Sequence, residues 1–229
     1  FRLSPAGHVV GFHRTGCRDP GGARGLGLIW RRENAVAVIE QIQAFAPELV
    51  EFRRDLHAHP ELGYREERTA DRVARQLAAF GLEVHRGLAK TGVVGTLRRG
   101  KSARSLGLRA ELDALPLVEL NKFSHRSRHE GRMHACGHDG HTTMLLGAAR
   151  HLAAAGEFDG AVHFIFQPAE EGGAGADAMI KERLFDRFSC DAVFGMHNLP
   201  GLAVGKFSIR SGPMMAGAAK TSAEAPTKA

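Results

Sequence analysis

The sequence predicts an α/β fold, a mixed β-sheet flanked by helices, and two observations carry that reading. Stretches with apolar residues at helical spacing alternate with short runs rich in β-branched and aromatic residues. One such run, Ala161–Gln167, is apolar almost throughout, as a fully buried strand is.

Residues 1–34 are rich in Gly and Arg, contain Pro5 and Pro20 and show no sustained period, so they read as a disordered or non-native leader. Ala35–His57 is expected to be helical, with Val38, Ile39, Ile42, Phe45, Leu49 and Phe52 near i, i+3, i+4 spacing and Pro47 as a point of kinking or splitting. Glu66–Phe80 is a second helix, striped by Ala70, Val73, Ala74 and Leu77 and stopped at Gly81. Gly92–Arg98 and Ser105–Leu112 read as strands, and Thr142–Ala155 as a helix. After the buried strand come a short helix at Ala174–Arg183 and strands at Asp191–His197 and Ala203–Ser208. The tail from Gly217 to Ala229 lacks an apolar anchor and is expected to be unfolded.

Composition narrows the function classes. The chain has 229 residues, 43% hydrophobic and 24% charged, ordinary values for a globular protein able to bury a sizeable core. Its net charge of +6 is concentrated at the ends: six arginines face only Asp19 and Glu33 within residues 1–34. The body has no basic stripe with interleaved aromatics, so no nucleic-acid partner is expected. No run reaches the roughly 18 apolar residues of a membrane span, so no membrane partner is expected either. Cys17, Cys136 and Cys190 are too few and too scattered for a disulfide framework, which points to the reducing cytoplasm.

The chemistry concentrates in His134-Ala135-Cys136-Gly137-His138-Asp139-Gly140-His141. Downstream lie Pro168-Ala169-Glu170-Glu171-Gly172-Gly173, after the buried run, and Gly195-Met196-His197-Asn198, at the end of the next strand. Taken singly, each residue has an ordinary explanation, such as a buried cysteine or an acidic first helical turn. Together, thiolate, imidazole and carboxylate from three segments form a donor set suited to zinc or another divalent transition metal. Paired cysteines typical of a structural zinc site are missing, so metal-assisted hydrolysis is the favoured chemistry.

Residues 48–216 resemble the catalytic domain of the metal-dependent amidohydrolases that include hippurate hydrolase, N-acyl-amino-acid amidohydrolases and auxin-conjugate hydrolases. The likeness rests on Asp55–Gly63, Arg109–Pro116, Met133–His141, Gln167–Ala176, Gly195–Pro200 and Ser211–Ala216, in that order. The resemblance implies a zinc-peptidase-like catalytic domain at residues 35–216 and cleavage of the amide bond of N-acyl amino acids by metal-activated water. It assigns Cys136 as a bridging thiolate, and His138, Glu171 and His197 as further ligands. Glu170 would be the general base and Asp113 an acid that orients a ligand. Two divalent ions, of Zn, Mn or Co, are expected at a complete site. Glu111 stands where the subfamily has Asp, and His57 and His59 are expected to have structural or supporting roles.

Two features depart from the pattern. No residue matches the family's far-downstream histidine ligand, and no lid or dimerisation domain follows Ala216. The expectation is of a truncated member with its lid absent, a frame shift being one origin. Such a chain would hold at most one metal and hydrolyse hippurate-like substrates poorly, and family-type homodimers would be doubtful. The alternatives are a non-catalytic metal-binding remnant and a metallodipeptidase of the same clan, though the dipeptidases use Asp at the bridging position.

Overall fold

A computed structural model describes residues 7–13 and 40–209. In chain order the elements are β1 (Gly7–His13), α1 (Glu40–Ala58), α2 (Glu67–Ala79), β2 (Glu83–Leu88), β3 (Gly92–Arg99) and β4 (Ser105–Glu111). Then follow α3 (His138–Ala155), β5 (Gly160–Gln167), α4 (Gly175–Lys181), α5 (Leu184–Arg187), β6 (Ala192–Leu199) and β7 (Phe207–Ser208). Among the described residues the strands form one mixed sheet ordered β2-β3-β5-β4-β6-β1-β7, which is the α/β arrangement the alternation predicts.

The sheet is covered on both faces, and β5 shows why its sequence is apolar at every position. All eight of its residues are buried. Val162, Phe164 and Phe166 enter one core with Phe52 and Leu56 of α1, Val73 and Leu77 of α2, and Leu145, Leu146 and Ala149 of α3. Ile165 points the other way, into a smaller core with Val94 of β3, Met179 of α4 and Leu184 of α5. Alternate side chains of one strand therefore feed two cores, which is the period-2 geometry of a strand with helices above and below.

The helical stripes fall where expected. Ala70, Val73, Ala74 and Leu77 all lie in the larger core, and Gly81, at φ 81°, ends the helix with its N–H on Ala78 O. Helix α1 runs on through Pro47 without interruption, so the expected split does not occur. Its predicted start, with Val38 and Ile39, lies outside the described residues, as do the tail and Ser211–Ala216.

Several boundaries differ from expectation. Residues 7–13, read as part of a disordered leader, form β1, which pairs antiparallel with β6 from Gly7↔Leu199 to His13↔Val193. Val9, Val10 and Phe12 supply the strand preference that the Gly- and Arg-rich surroundings obscure; the rest of 1–34 lies outside the described residues. Strand β2 escaped notice because it is polar, which an edge strand with a single neighbour tolerates. The strand expected over Ala203–Ser208 shrinks to Phe207–Ser208, because Gly201 and Gly205 turn the backbone at φ 92° and 76°. The helix expected at Ala174–Arg183 is α4, and a further short helix, α5, follows it after Arg183 at φ 67°. Among the described residues no helix is long and apolar enough to cross a membrane.

Strands β5, β4 and β6 are mutually parallel, Glu111 pairing with Gln167 and Arg109 with Gly195. Their C-terminal ends lie along one edge of the sheet, where α/β proteins place ligand sites. The segments after β4 and β5 carry Asp113 and Glu170-Glu171, and the end of β6 carries His197.

Candidate metal centre

Helix α3 delivers the central group. It begins at His138, four residues before the expected start at Thr142, so His138, Asp139 and His141 form its first turn rather than a preceding loop. The apolar stripe gives no hint of this turn because its side chains are polar: His138 and His141 serve the site, and Asp139 binds His57 and Arg53. Gly137, at φ 95°, forms the entry to the helix, and a Cβ there would collide with Asn198 Oδ1. The glycine thus lets the Cys136–His138 segment close onto the end of β6.

The structure brings Cys136, His138, Glu170, Glu171 and His197 together. Cys136 Sγ lies 3.3 Å from His197 Nε2. His138 Nε2 lies 3.8 Å from Glu170 Oε2 and 3.9 Å from Glu171 Oε1. Three overlapping groups have potential ligand atoms within 4.8 Å of one another: Cys136, His138 and His197; His138, Glu170 and Glu171; and Glu111, His138 and His141. His138 belongs to all three.

The hydrogen bonds behind the two imidazoles fix their tautomers. His138 Nδ1 donates to the Asp113 carbonyl at 2.8 Å, and His197 Nδ1 donates to the Asn198 carbonyl at 2.7 Å. A carbonyl only accepts, so each Nδ1 carries a hydrogen and each Nε2 is the nitrogen turned inward, where a metal could take the place of a proton. Asp113 is buried; its Oδ2 accepts the Glu171 N–H at 2.8 Å, which ties the glutamate turn to the loop behind His138. Asp113 therefore touches the frame of the site from both sides.

Electrostatics fit a cation at this point. His138 Nε2 and Glu171 Oε1 are buried without a hydrogen-bond partner, although a native interior rarely leaves such atoms unmatched. Burial disfavours a charged His138, yet the bonds to Asp113 and Cys136 and the field of Glu111 outweigh it and raise its pKa to about 11. The surroundings thus call for positive charge, which a divalent ion would supply in place of the proton. Burial pushes the Cys136 thiol up and the His197 imidazole down, so His197 is held neutral, the form that binds metals. Burial also raises Glu170, helped by Glu111 and Glu171 and opposed by His138 and Arg109.

Sequence reasoning noticed His141 without giving it work, and left Glu111 without a role. Both are buried. His141 Nδ1 meets Glu111 Oε2 at 2.9 Å, and its Nε2 lies 2.7 Å from Asn198 Oδ1. Arg109 holds the other Glu111 oxygen. Burial opposes this charge, but the His141 hydrogen bond and Arg109 prevail and lower Glu111 to a pKa of about 2. The available signal was the i, i+3 spacing of His138 and His141 on one helix face.

His57 takes a supporting place, as its motif suggested. Its Nδ1 lies 2.9 Å from Asp139 Oδ2 and its Nε2 3.1 Å from Glu119 Oε1, so it ties α1 to the first turn of α3. Burial alone would lower its pKa, but the hydrogen bonds to both carboxylates win and raise it above the ordinary 6.5. Protonated His57 therefore stabilises the fold fully below about 6.5, and that contribution fades as pH rises through the higher folded value. Urea denaturation across this range should show wild type losing stability relative to His57→Gln as pH rises. An imidazole resonance titrating at or below 6.5 would contradict the account.

Comparisons with known proteins identify the family and the fold. The chain matches the sequence pattern of peptidase family M20/M25/M40 over residues 107–227. It is 49% identical over 179 residues to the hippurate hydrolase of Campylobacter jejuni, covering 78% of this chain and 46% of that protein. Identity is 45% over 170 residues to IAA-amino acid hydrolase ILR1-like 4 of Arabidopsis thaliana, covering 74% and 38%. Among solved structures it resembles the Bacillus subtilis YXEP protein, a dinuclear metal binding peptidase, with 38% identity and a TM-score of 0.70 over 75% of this chain and 48% of that one. The chain spans less than half the length of these relatives.

Proposed function

This chain belongs to peptidase family M20/M25/M40, and from that premise we propose that it carries the metal-and-base machinery of an amidohydrolase cleaving N-acyl amino acids. One observation carries the reading: the unpartnered His138 Nε2 and Glu171 Oε1 confront each other across 3.9 Å, with Cys136 and His197 beside them. Cys136, His138, Glu171 and His197 would hold divalent metal, of which zinc, manganese and cobalt suit the donor set. When bound, the metal supplies Lewis-acid polarisation of the amide carbonyl and acidifies a water.

The protein groups do the rest. Glu170 is exposed enough to meet substrate and has its pKa raised toward the working range of a general base. It takes the proton of the attacking water and returns it to the leaving nitrogen, so the products are a carboxylic acid and an amino acid. Asp113 holds the His138 tautomer through its carbonyl and the Glu171 amide through its carboxylate. Among the relatives, a hippurate hydrolase and an IAA-amino acid hydrolase favour N-acyl amino acids as the substrate class. A thiol ligand suits a reducing compartment such as the cytoplasm.

The test is hydrolysis of hippurate by protein carrying this sequence, after loading with zinc, manganese or cobalt. Release of benzoate and glycine that EDTA abolishes is the expected result. Metal uptake without turnover of any N-acyl amino acid would favour a non-catalytic remnant. Turnover of unblocked dipeptides in preference to hippurate would favour a dipeptidase.

A further inference from the structure

The turn that carries Glu170 and Glu171 is not one that its own residues prefer. Ala169 stands at φ 50° and Ala174 at φ 52°, in the left-handed region that a residue with a Cβ occupies only when its surroundings over-determine it. Three contacts fix Ala169. Its carbonyl accepts the Gly175 N–H at 3.0 Å, within the turn itself. Its buried methyl packs so tightly that a Cβ on Gly63 would approach it to 3.0 Å. Its N–H donates to Glu66 Oε1 at 2.8 Å. The last two come from the connection between α1 and α2, about a hundred residues earlier in the chain.

Glu66 is an unexpected group in that place. It is completely buried, and burial raises its pKa. It stands at the N-terminus of α2 but makes no side-chain cap there. Capping falls to Glu61, whose carboxylate accepts the Arg68 and Thr69 N–H groups. Both Glu66 oxygens point away from its own helix: Oε1 accepts from Ala169, and Oε2 accepts the Thr91 hydroxyl at 2.6 Å. A carboxyl at this depth is costly unless its hydrogen bonds have a use.

We propose that Glu66 is a positioning residue for the glutamate pair, its carboxylate holding the Ala169 amide so that Glu170 and Glu171 meet His138 in the observed geometry. The inference rests on the metal-hydrolase reading above. Glu66 and Asp113 grip the turn at two amides, Ala169 and Glu171, on either side of Glu170. The strained Ala169 and the Glu171 amide are thereby both held, and the Glu171 carboxylate is positioned by residues outside the proposed ligand set.

The test uses the whole chain titrated with Co(II), read by affinity and by the visible spectrum of the bound ion. Glu66→Ala strands the Ala169 amide and should weaken Co(II) binding about 10–100-fold, the usual cost of losing a partner that orients a ligand, with an altered spectrum. Glu66→Gln keeps an acceptor for Ala169 and can donate to the Thr91 hydroxyl, so it should restore both readouts. If the Ala variant does not fold, Glu66→Asp, too short to reach both partners, should show the same loss in weaker form. A folded Ala or Asp variant that loses thermal stability but keeps wild-type affinity and spectrum would make Glu66 merely structural and overturn the inference alone. A wild-type chain that binds no Co(II) would overturn the metal reading and this inference with it.

Discussion

Cys136→Ser should lower zinc affinity by more than about 100-fold, beyond the roughly 10–100-fold cost of losing a residue that only orients a ligand. The Cys136 sulfur lies 3.3 Å from His197 Nε2 and within reach of His138. Burial raises its pKa, so without a cation the thiol stays protonated and with one it becomes a thiolate ligand. A serine hydroxyl is smaller and remains neutral, so it cannot replace that charge. Competition against a chelating dye measures the loss, and disappearance of the thiolate-to-cobalt absorption in the Co(II) form checks its origin. Affinity within about tenfold of wild type would remove Cys136 from the ligand set.

Glu170→Gln should act on the other half of the chemistry. Hydrolysis should fall about 100- to 10,000-fold, the usual contribution of a general base, while metal content stays unchanged. The amide is nearly isosteric but cannot accept the water proton. Glu171→Ala should do the reverse and lose metal first, since Glu171 Oε1 is the buried, unpartnered atom facing His138. Metal analysis beside hippurate kinetics separates the two, and equal metal loss in both variants would contradict the division of roles.

The sequence announced the parts of the site that depend on local pattern. Cys136, His138, Glu170, Glu171 and His197 stand out because such donors are scarce in ordinary cores, and the apolar run Ala161–Gln167 placed the glutamates at a strand end. Strand β5 and the stripe of α2 were legible because burial writes itself into period 2 and period 3.6. What stayed hidden was set by contacts across the chain. The first turn of α3 carries no apolar signal, because His138 and His141 face the site and Asp139 binds His57 and Arg53 of α1. Glu66 looked like one more acid in a charged helix start, and only the approach of Ala169, remote in sequence, gives it a purpose. Strand β1 lay within a Gly- and Arg-rich stretch, and its partner β6 is nearly two hundred residues away.

His138 occupies a place in each of the three donor groups, and one ring cannot serve three independent equilibria. Changes at Cys136, at the glutamate turn and at the Glu111–His141 pair all bear on the same imidazole, so their free energies are expected to be coupled and not to sum. A second lesion costs little once the first has displaced that ring. If metal binds here, its preference is expected to respond to the three groups as one unit, so redesign would exchange them as a set.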